Sequence, residues 1–98
     1  MEFEWGESKR LSNFDKHGVW FDDAIHIFEG RIVVRKDPRD YGGETRFTAY
    51  GAVDGRVLAV VHTWRGDVCR LISARKANQR EQRAYHAALS RVAPDAED

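Results

Sequence analysis

The chain has only one cysteine and no long run of apolar residues, and each shortage excludes a class of protein or site. Because Cys69 has no second cysteine to pair with, an internal disulfide and a Cys-x-x-Cys metal site are both excluded. No apolar run approaches the roughly 18 residues that are needed to cross a bilayer. The opening MEFEWGESK lacks the basic and apolar regions of a signal peptide, so we expect a cytoplasmic protein.

The familiar catalytic motifs are missing as well. The sequence contains no P-loop, no Gly-x-Gly-x-x-Gly, no Gly-x-Ser-x-Gly and no His-Glu-x-x-His. Its histidines, at positions 17, 26, 62 and 86, are scattered, and no two share an element at the spacing of metal ligands. A Ser–His–acid triad stays open, although no spacing indicates one. We therefore expect no metal and no other cofactor.

What the chain does have is the composition of one globular domain with an uneven charge distribution. Of its 98 residues, 42% are apolar and 33% charged, with 16 basic and 16 acidic side chains. Residues 65–91 nevertheless hold seven Lys or Arg and only two Asp or Glu. We expect a domain over residues 1–93 and a frayed acidic tail over 94–98. The clustered cations suggest a polyanion or an acidic protein as partner, or only a solvated helix face.

The hydrophobic periodicity predicts an α+β domain. Helical spacing is found over 7–17, where Gly18 would end the helix, over 21–28, and again after Asn78, which has capping-box spacing to Glu81. Strand patterns occupy 2–5, 31–36, 46–53, 56–64 and 68–74, and Asp54-Gly55 is a strong hairpin signal. The predicted order is β-α-α-β-β-β-β-α, with the helices packed on one side of an antiparallel sheet.

The candidate functional residues are cations and polar groups at the ends of these elements. They are Lys9, Lys16 and His17 of the first helix, Arg65 of a turn, Arg70 within a strand, Arg75 and Lys76 after it, and Arg80, Glu81 and Arg83 of the last helix. Each also has a purely structural explanation. The lysines are often solvated, His17 suits a helix C-terminus, Glu81 suits a capping box, and Arg70 could pair with an acid such as Asp67.

Together these residues suit one chemistry, the cleavage of RNA without a metal ion. That reaction needs a base for the 2′-hydroxyl, an acid for the 5′-oxygen and cations for the charge that gathers on phosphorus. Arginine fits the last role because its guanidinium stays charged and grips phosphate oxygens in a fork. From the residues alone, the prediction is no finer than a phosphate site.

Three stretches of sequence carry a resemblance to a known family. FEWGESKRLSNFDKHGVWFDDAIHIFEG, VDGRVLAVVHTWRGDVCRLISARKA and NQREQRAY together resemble the BrnT toxins over roughly residues 2–88. The resemblance implies a RelE-like, metal-independent endoribonuclease toxin of a type II toxin–antitoxin pair that inhibits translation. It implies as partner a BrnA-like ribbon-helix-helix antitoxin, in a 2:2 complex that binds operator DNA and represses its own operon.

The resemblance also implies a set of site residues. Matched by position, the active-site set is Lys16, His17, Arg65, Arg75 and Glu81. We infer that His17 or Glu81 transfers the proton, while Lys16, Arg65 and Arg75 hold the phosphate. Further RNA contacts are expected from Lys9, Arg70, Lys76, Arg80 and Arg83.

Two other interpretations stay open at this point. The chain could be a non-catalytic homologue that binds the antitoxin and acts only as a corepressor, since obvious proton carriers are few. It could also bind DNA or RNA directly through the basic region, in which case binding would weaken steeply with salt.

Overall fold

A computed structural model describes residues 1–92, apart from the side chain of Val92. The elements are β1 (Glu2–Glu4), α1 (Glu7–His17), α2 (Phe21–Ala24), a 3₁₀ helix (Ile25–Glu29), β2 (Val33–Lys36), β3 (Phe47–Val53), β4 (Arg56–Arg65), β5 (Val68–Lys76) and α3 (Gln79–Val92). The predicted α+β class is confirmed. The predicted acidic tail, 94–98, and residue 93 lie outside the described residues. Within residues 1–92, no helix has the length and apolar character to cross a membrane.

The five strands form one mixed sheet in the order β1-β5-β4-β3-β2. Pairs β2–β3, β3–β4 and β4–β5 are antiparallel, but β1 is parallel to β5, with Glu2 opposite Val68. The prediction of an antiparallel sheet is therefore wrong at β1. The reason is that this pairing joins opposite ends of the chain, whereas the antiparallel β3–β4 and β4–β5 pairs are set by the short turns that join them.

The hairpin turn predicted at Asp54-Gly55 and the helix end predicted at Gly18 both have the backbone conformation that favours glycine. Asp54 and Gly55 have φ angles of 51° and 77°, the paired positive values that suit a tight hairpin. Gly18 ends α1 in the left-handed conformation, and its N–H donates to the carbonyl of Phe14 at 2.7 Å. The sequence signals at these two points are confirmed.

The second predicted helix, 21–28, is only partly helical. The α-helix stops at Ala24, and the chain continues as the 3₁₀ helix to Glu29. The apolar spacing over 21–28 fits both geometries, so periodicity could not separate them. The 3₁₀ helix lies tightly on β3, because a Cβ added to Gly51 would be 2.8 Å from the Cβ of Ile27.

The sheet has helices on both faces, so the predicted packing on one side is wrong. Successive strand residues point to opposite faces, and the core is accordingly split into two clusters. What we term the α2 face buries Val19, Phe21, Ala24, Ile27, Ala49, Leu58, Val60, Cys69, Leu71 and Ala74. What we term the α3 face buries Val57, Ala77 and Tyr85, with Val33, Tyr50 and Leu89 packed against them.

Asn13 fixes α1 to the edge of β5 beyond the end of β1. Its amide donates to the carbonyl of Ala74 at 2.8 Å and accepts from the Ala74 N–H at 3.1 Å. It also donates to the carbonyl of Val19 at 3.0 Å. The side chain thus takes the place of a neighbouring strand, and α1 is held beside the residue that precedes Arg75.

Candidate functional site

The pairing of the strands brings polar residues together on the α3 face. Tyr50, Ala59 and Arg75 lie opposite one another across β3, β4 and β5, and Val33 of β2 extends this row. Paired residues share a face, so the side chains of Tyr50 and Arg75 are on the side that carries α3.

Arg75 and Glu81 form the centre of the site. Arg75 lies near the end of β5 and Glu81 in the first turn of α3. The guanidinium Nη1 and Nη2 each donate to one carboxylate oxygen of Glu81, both at 2.8 Å. This is the bidentate fork that makes arginine a strong partner for planar anions.

Glu81 is also half of the predicted capping box, which is confirmed. Its N–H donates to Asn78 Oδ1 at 2.8 Å, and its carboxylate accepts from the Asn78 N–H at 2.9 Å. Hydrogen bonds from Arg75, and then from the Asn78 backbone, lower the pKa of Glu81 to about 2. The carboxylate is therefore ionised at neutral pH.

Tyr50 is a member of the site that the sequence did not indicate. Its hydroxyl donates to Glu81 Oε2 at 3.3 Å. Burial, and then the Glu81 carboxylate, raise the pKa of Tyr50, so its phenol stays protonated and available as a donor. Strand register was the signal that could have identified it, because Tyr50 lies opposite Ala59 of β4, and Ala59 lies opposite Arg75 of β5.

A cavity of about 480 Å³ opens beside these groups. The side chains of α3 and β2 supply an apolar wall that includes Val33, Ala84 and Ala88, while Arg35, Arg80 and Arg91 supply charge. Tyr50, Asn78 and Glu81 line its end next to Arg75. The cavity is in the size range of small-molecule sites and is bordered by more cations than acids.

Arg65 and Arg70 belong to a second cluster. Arg70 donates to Glu4 Oε2 at 3.1 Å, and the Arg65 Nε is 3.9 Å from the same oxygen. The acid that pairs with Arg70 is thus Glu4 of β1, not Asp67. Both arginines and Lys9 line a cavity of about 300 Å³.

The two clusters share the α3 face but lie apart along the strands. Arg75 of β5 lies opposite Ala59 of β4, and Arg65 lies six residues beyond Ala59 along β4. At about 3.4 Å per residue, the separation along β4 is roughly 20 Å. The structure therefore brings Arg75 together with Glu81, and Arg65 with Arg70 and Lys9, as two groups on one surface.

Within residues 1–92, the side chains of the other predicted residues take no part in the hydrogen bonds of these two groups. Lys16 and His17 are exposed in the last turn of α1, and Lys76 and Arg83 are exposed on β5 and α3. Arg80 lines the larger cavity. In the part of the chain that the structure describes, no group of three or more His, Cys, Asp or Glu side chains could hold a metal ion.

A comparison with known protein families identifies a family that the chain matches. A family model described as "Ribonuclease toxin, BrnT, of type II toxin-antitoxin system" matches residues 5–81. This range begins at Trp5, directly after β1, and includes α1, α2, strands β2 to β5 and the capping box with Glu81. No curated protein matches the chain.

Proposed function

The chain belongs to the BrnT family, the ribonuclease toxins of type II toxin–antitoxin systems, and from this premise we propose that it cleaves RNA without a metal ion and so inhibits translation. The observation that carries the proposal is the Arg75 fork beside Glu81 and Tyr50. The Arg75 guanidinium and the Tyr50 hydroxyl are donors that can bind a scissile phosphate and stabilise the negative charge that develops on it.

The proposed catalytic set is Lys16, His17, Arg65, Arg75 and Glu81, with RNA contacts from Lys9, Arg70, Lys76, Arg80 and Arg83. Because Arg65 lies roughly 20 Å from Arg75 along β4, we assign the two arginines to different phosphates of one RNA strand. The low pKa of Glu81 bears on the division of roles. An ionised carboxylate can accept a proton but has none to give to the leaving 5′-oxygen. His17 is then the group in the set that would donate it.

The remaining features of the proposal concern assembly. A type II toxin has an antitoxin partner. We assign this role to a BrnA-like ribbon-helix-helix protein in a 2:2 complex that binds operator DNA and represses its operon. We further assign the domain, residues 1–93, to the RelE-like group and the cytoplasm. The sheet with α3 on one face, and α2 and the 3₁₀ helix on the other, is consistent with that grouping.

A non-catalytic corepressor is the second candidate, and one observation favours it. In the free protein both donors of the Arg75 guanidinium already bond Glu81, so the proposed phosphate-binding site is occupied by a side chain of the protein itself. Expression of the chain alone in cells separates the candidates. A ribonuclease toxin arrests growth until the antitoxin is co-expressed, whereas a corepressor leaves growth unchanged.

Cleavage of purified RNA in the presence of EDTA tests the enzyme directly. We expect the wild-type protein to cut and Arg75→Ala to be about 100-fold slower, as expected when one charge-stabilising donor is removed. The matched control is Arg56→Ala, an exposed arginine on the same sheet whose neighbour Val57 points to the α3 face, so that Arg56 points away from it. Intact RNA with the wild-type protein, or equal loss in both variants, would contradict the proposal.

A further inference from the structure

The carboxylate of Glu81 occupies a cradle of four donors. Two are the Nη1 and Nη2 of Arg75 at 2.8 Å, one is the Asn78 N–H at 2.9 Å, and one is the Tyr50 hydroxyl at 3.3 Å. They come from β5, the start of α3 and β3, so three separate elements converge on one anion. A carboxylate held in this way marks the place as an anion site.

The donors are of the kinds that also bind phosphate. A guanidinium fork matches two phosphate oxygens, and an N–H at a helix N-terminus is oriented toward negative charge. The neighbouring cavity of about 480 Å³ leaves room for the rest of a ligand, and Arg35 and Arg80 add charge along its lining. Glu81 itself lines this cavity, so an incoming anion can reach its position.

We propose that Glu81 is an internal substitute for a phosphate, and that a phosphate group of the ligand displaces its carboxylate from Arg75, Tyr50 and the Asn78 N–H. If the proposed ribonuclease function holds, the ligand is an RNA phosphodiester. Glu81 then keeps the site closed to weak anions in the free protein, since any phosphate competes with a tethered carboxylate. The displaced carboxylate remains the proton acceptor of the proposed catalytic set and in addition gates the site.

The test is the affinity for inorganic phosphate, measured by isothermal titration calorimetry. Glu81→Gln removes the charge, and glutamine is the other residue that completes a capping box, so α3 keeps its cap. We expect this variant to bind phosphate at least 10-fold more tightly than the wild-type protein. Adding Arg75→Ala to it should abolish the gain.

The matched control is Asp37→Asn. The Asp37 carboxylate is held by the same kinds of donors, namely the Arg39 guanidinium, the Arg39 N–H and the Tyr41 hydroxyl. These donors belong to one surface loop, and the Arg39 side chain is 75% exposed. We expect the affinity of this variant for phosphate to stay within two-fold of wild type.

Three results would overturn the inference: no gain in Glu81→Gln, an equal gain in Asp37→Asn, or a gain that persists without Arg75. If Glu81→Gln failed to fold, an NMR titration of the wild-type protein would test the inference instead. Saturation with a 2′-O-methyl RNA should shift the guanidinium NMR signals of Arg75, and unchanged signals in a bound complex would reject the exchange. Phosphate binding is measured without cleavage, so this inference and the ribonuclease proposal can fail separately.

Discussion

Glu81 has more partners than any other side chain of the site. It caps α3 through Asn78, accepts both arms of Arg75 and accepts the hydroxyl of Tyr50. With 20% of its side chain exposed, it is shielded enough for these charge-assisted bonds to count toward stability. One residue thus joins the last strand to the last helix at the point where the proposed phosphate binds.

The acid stability of the fold should depend on Glu81. Its pKa is lowered from 4.5 to about 2 in the folded protein, so its contribution is complete above the unfolded value and is lost as the pH falls toward the folded value. At neutral pH we expect Glu81→Gln to cost about 1–2 kcal/mol of unfolding free energy. The difference between the two proteins should shrink between pH 4.5 and about 2.

Urea unfolding of both proteins, at neutral pH and at a pH of about 3, measures this difference. If the difference in unfolding free energy between the wild-type protein and Glu81→Gln were the same at both pH values, the charge of Glu81 would not stabilise the native state.

At the scale of elements, α1 is held by a polar contact rather than an apolar stripe. Lys9, Asn13 and Lys16 recur at helical spacing, a pattern typical of a solvated polar stripe. The lysines are exposed, but Asn13 is only 6% exposed and bonds the backbone of Ala74. Leu11, which lies on an apolar spacing with Phe14, is instead 52% exposed. Residue type alone could not show that an asparagine would close the free edge of a strand.

Asn13→Ala should therefore destabilise the protein strongly. The change leaves the buried N–H and carbonyl of Ala74 without their partner, which costs about 2–4 kcal/mol. Denaturant unfolding gives the value, and Ser12→Ala, on the exposed side of the same helix, should stay within about 0.5 kcal/mol of wild type. Similar values for the two variants would mean that the Asn13 bridge contributes nothing to α1 docking.

Local signals predicted most of the other elements. The end of α1 at Gly18, the Asp54-Gly55 hairpin and the start of α3 at the capping box all follow from nearby residues. The parallel pairing of β1 with β5 and the placing of α3 on its own face depend on contacts between distant parts of the chain. The sequence did not predict these two features correctly, nor the 3₁₀ helix that follows α2 or the pairing of Arg70 with Glu4.

At the scale of the whole molecule, several arginines lie on the α3 face, although the chain as a whole carries equal numbers of basic and acidic side chains. Arg75 and Arg35 stand at one end of it, and Arg65 and Arg70 at the other, roughly 20 Å away along β4. The cationic run of residues 65–83 therefore does not form one compact patch. It provides two anchor points on a single surface, a layout that suits an extended polyanion better than a small anion.

The composition of the site was predictable only in part. Arg75 and Glu81 could be proposed because they flank a short strand-to-helix connection, which brings them close whatever the rest of the chain does. The position of Tyr50 beside Arg75 depends on the register of two hairpins, β3–β4 and β4–β5. The β4–β5 register shifts between Val61 and His62. A register shift of that kind has no clear sequence signature, so cross-strand neighbours beyond it cannot be counted from the turn.

The central claim, that RNA lies on the α3 face around Arg75, is tested most directly by NMR titration of the wild-type protein with a non-cleavable 2′-O-methyl RNA. We predict the largest shifts at Tyr50, Arg75 and Glu81, with little change at Arg56. Shifts confined to Arg56 and its neighbours on the α2 face, with the Arg75 signals unmoved, would contradict the account.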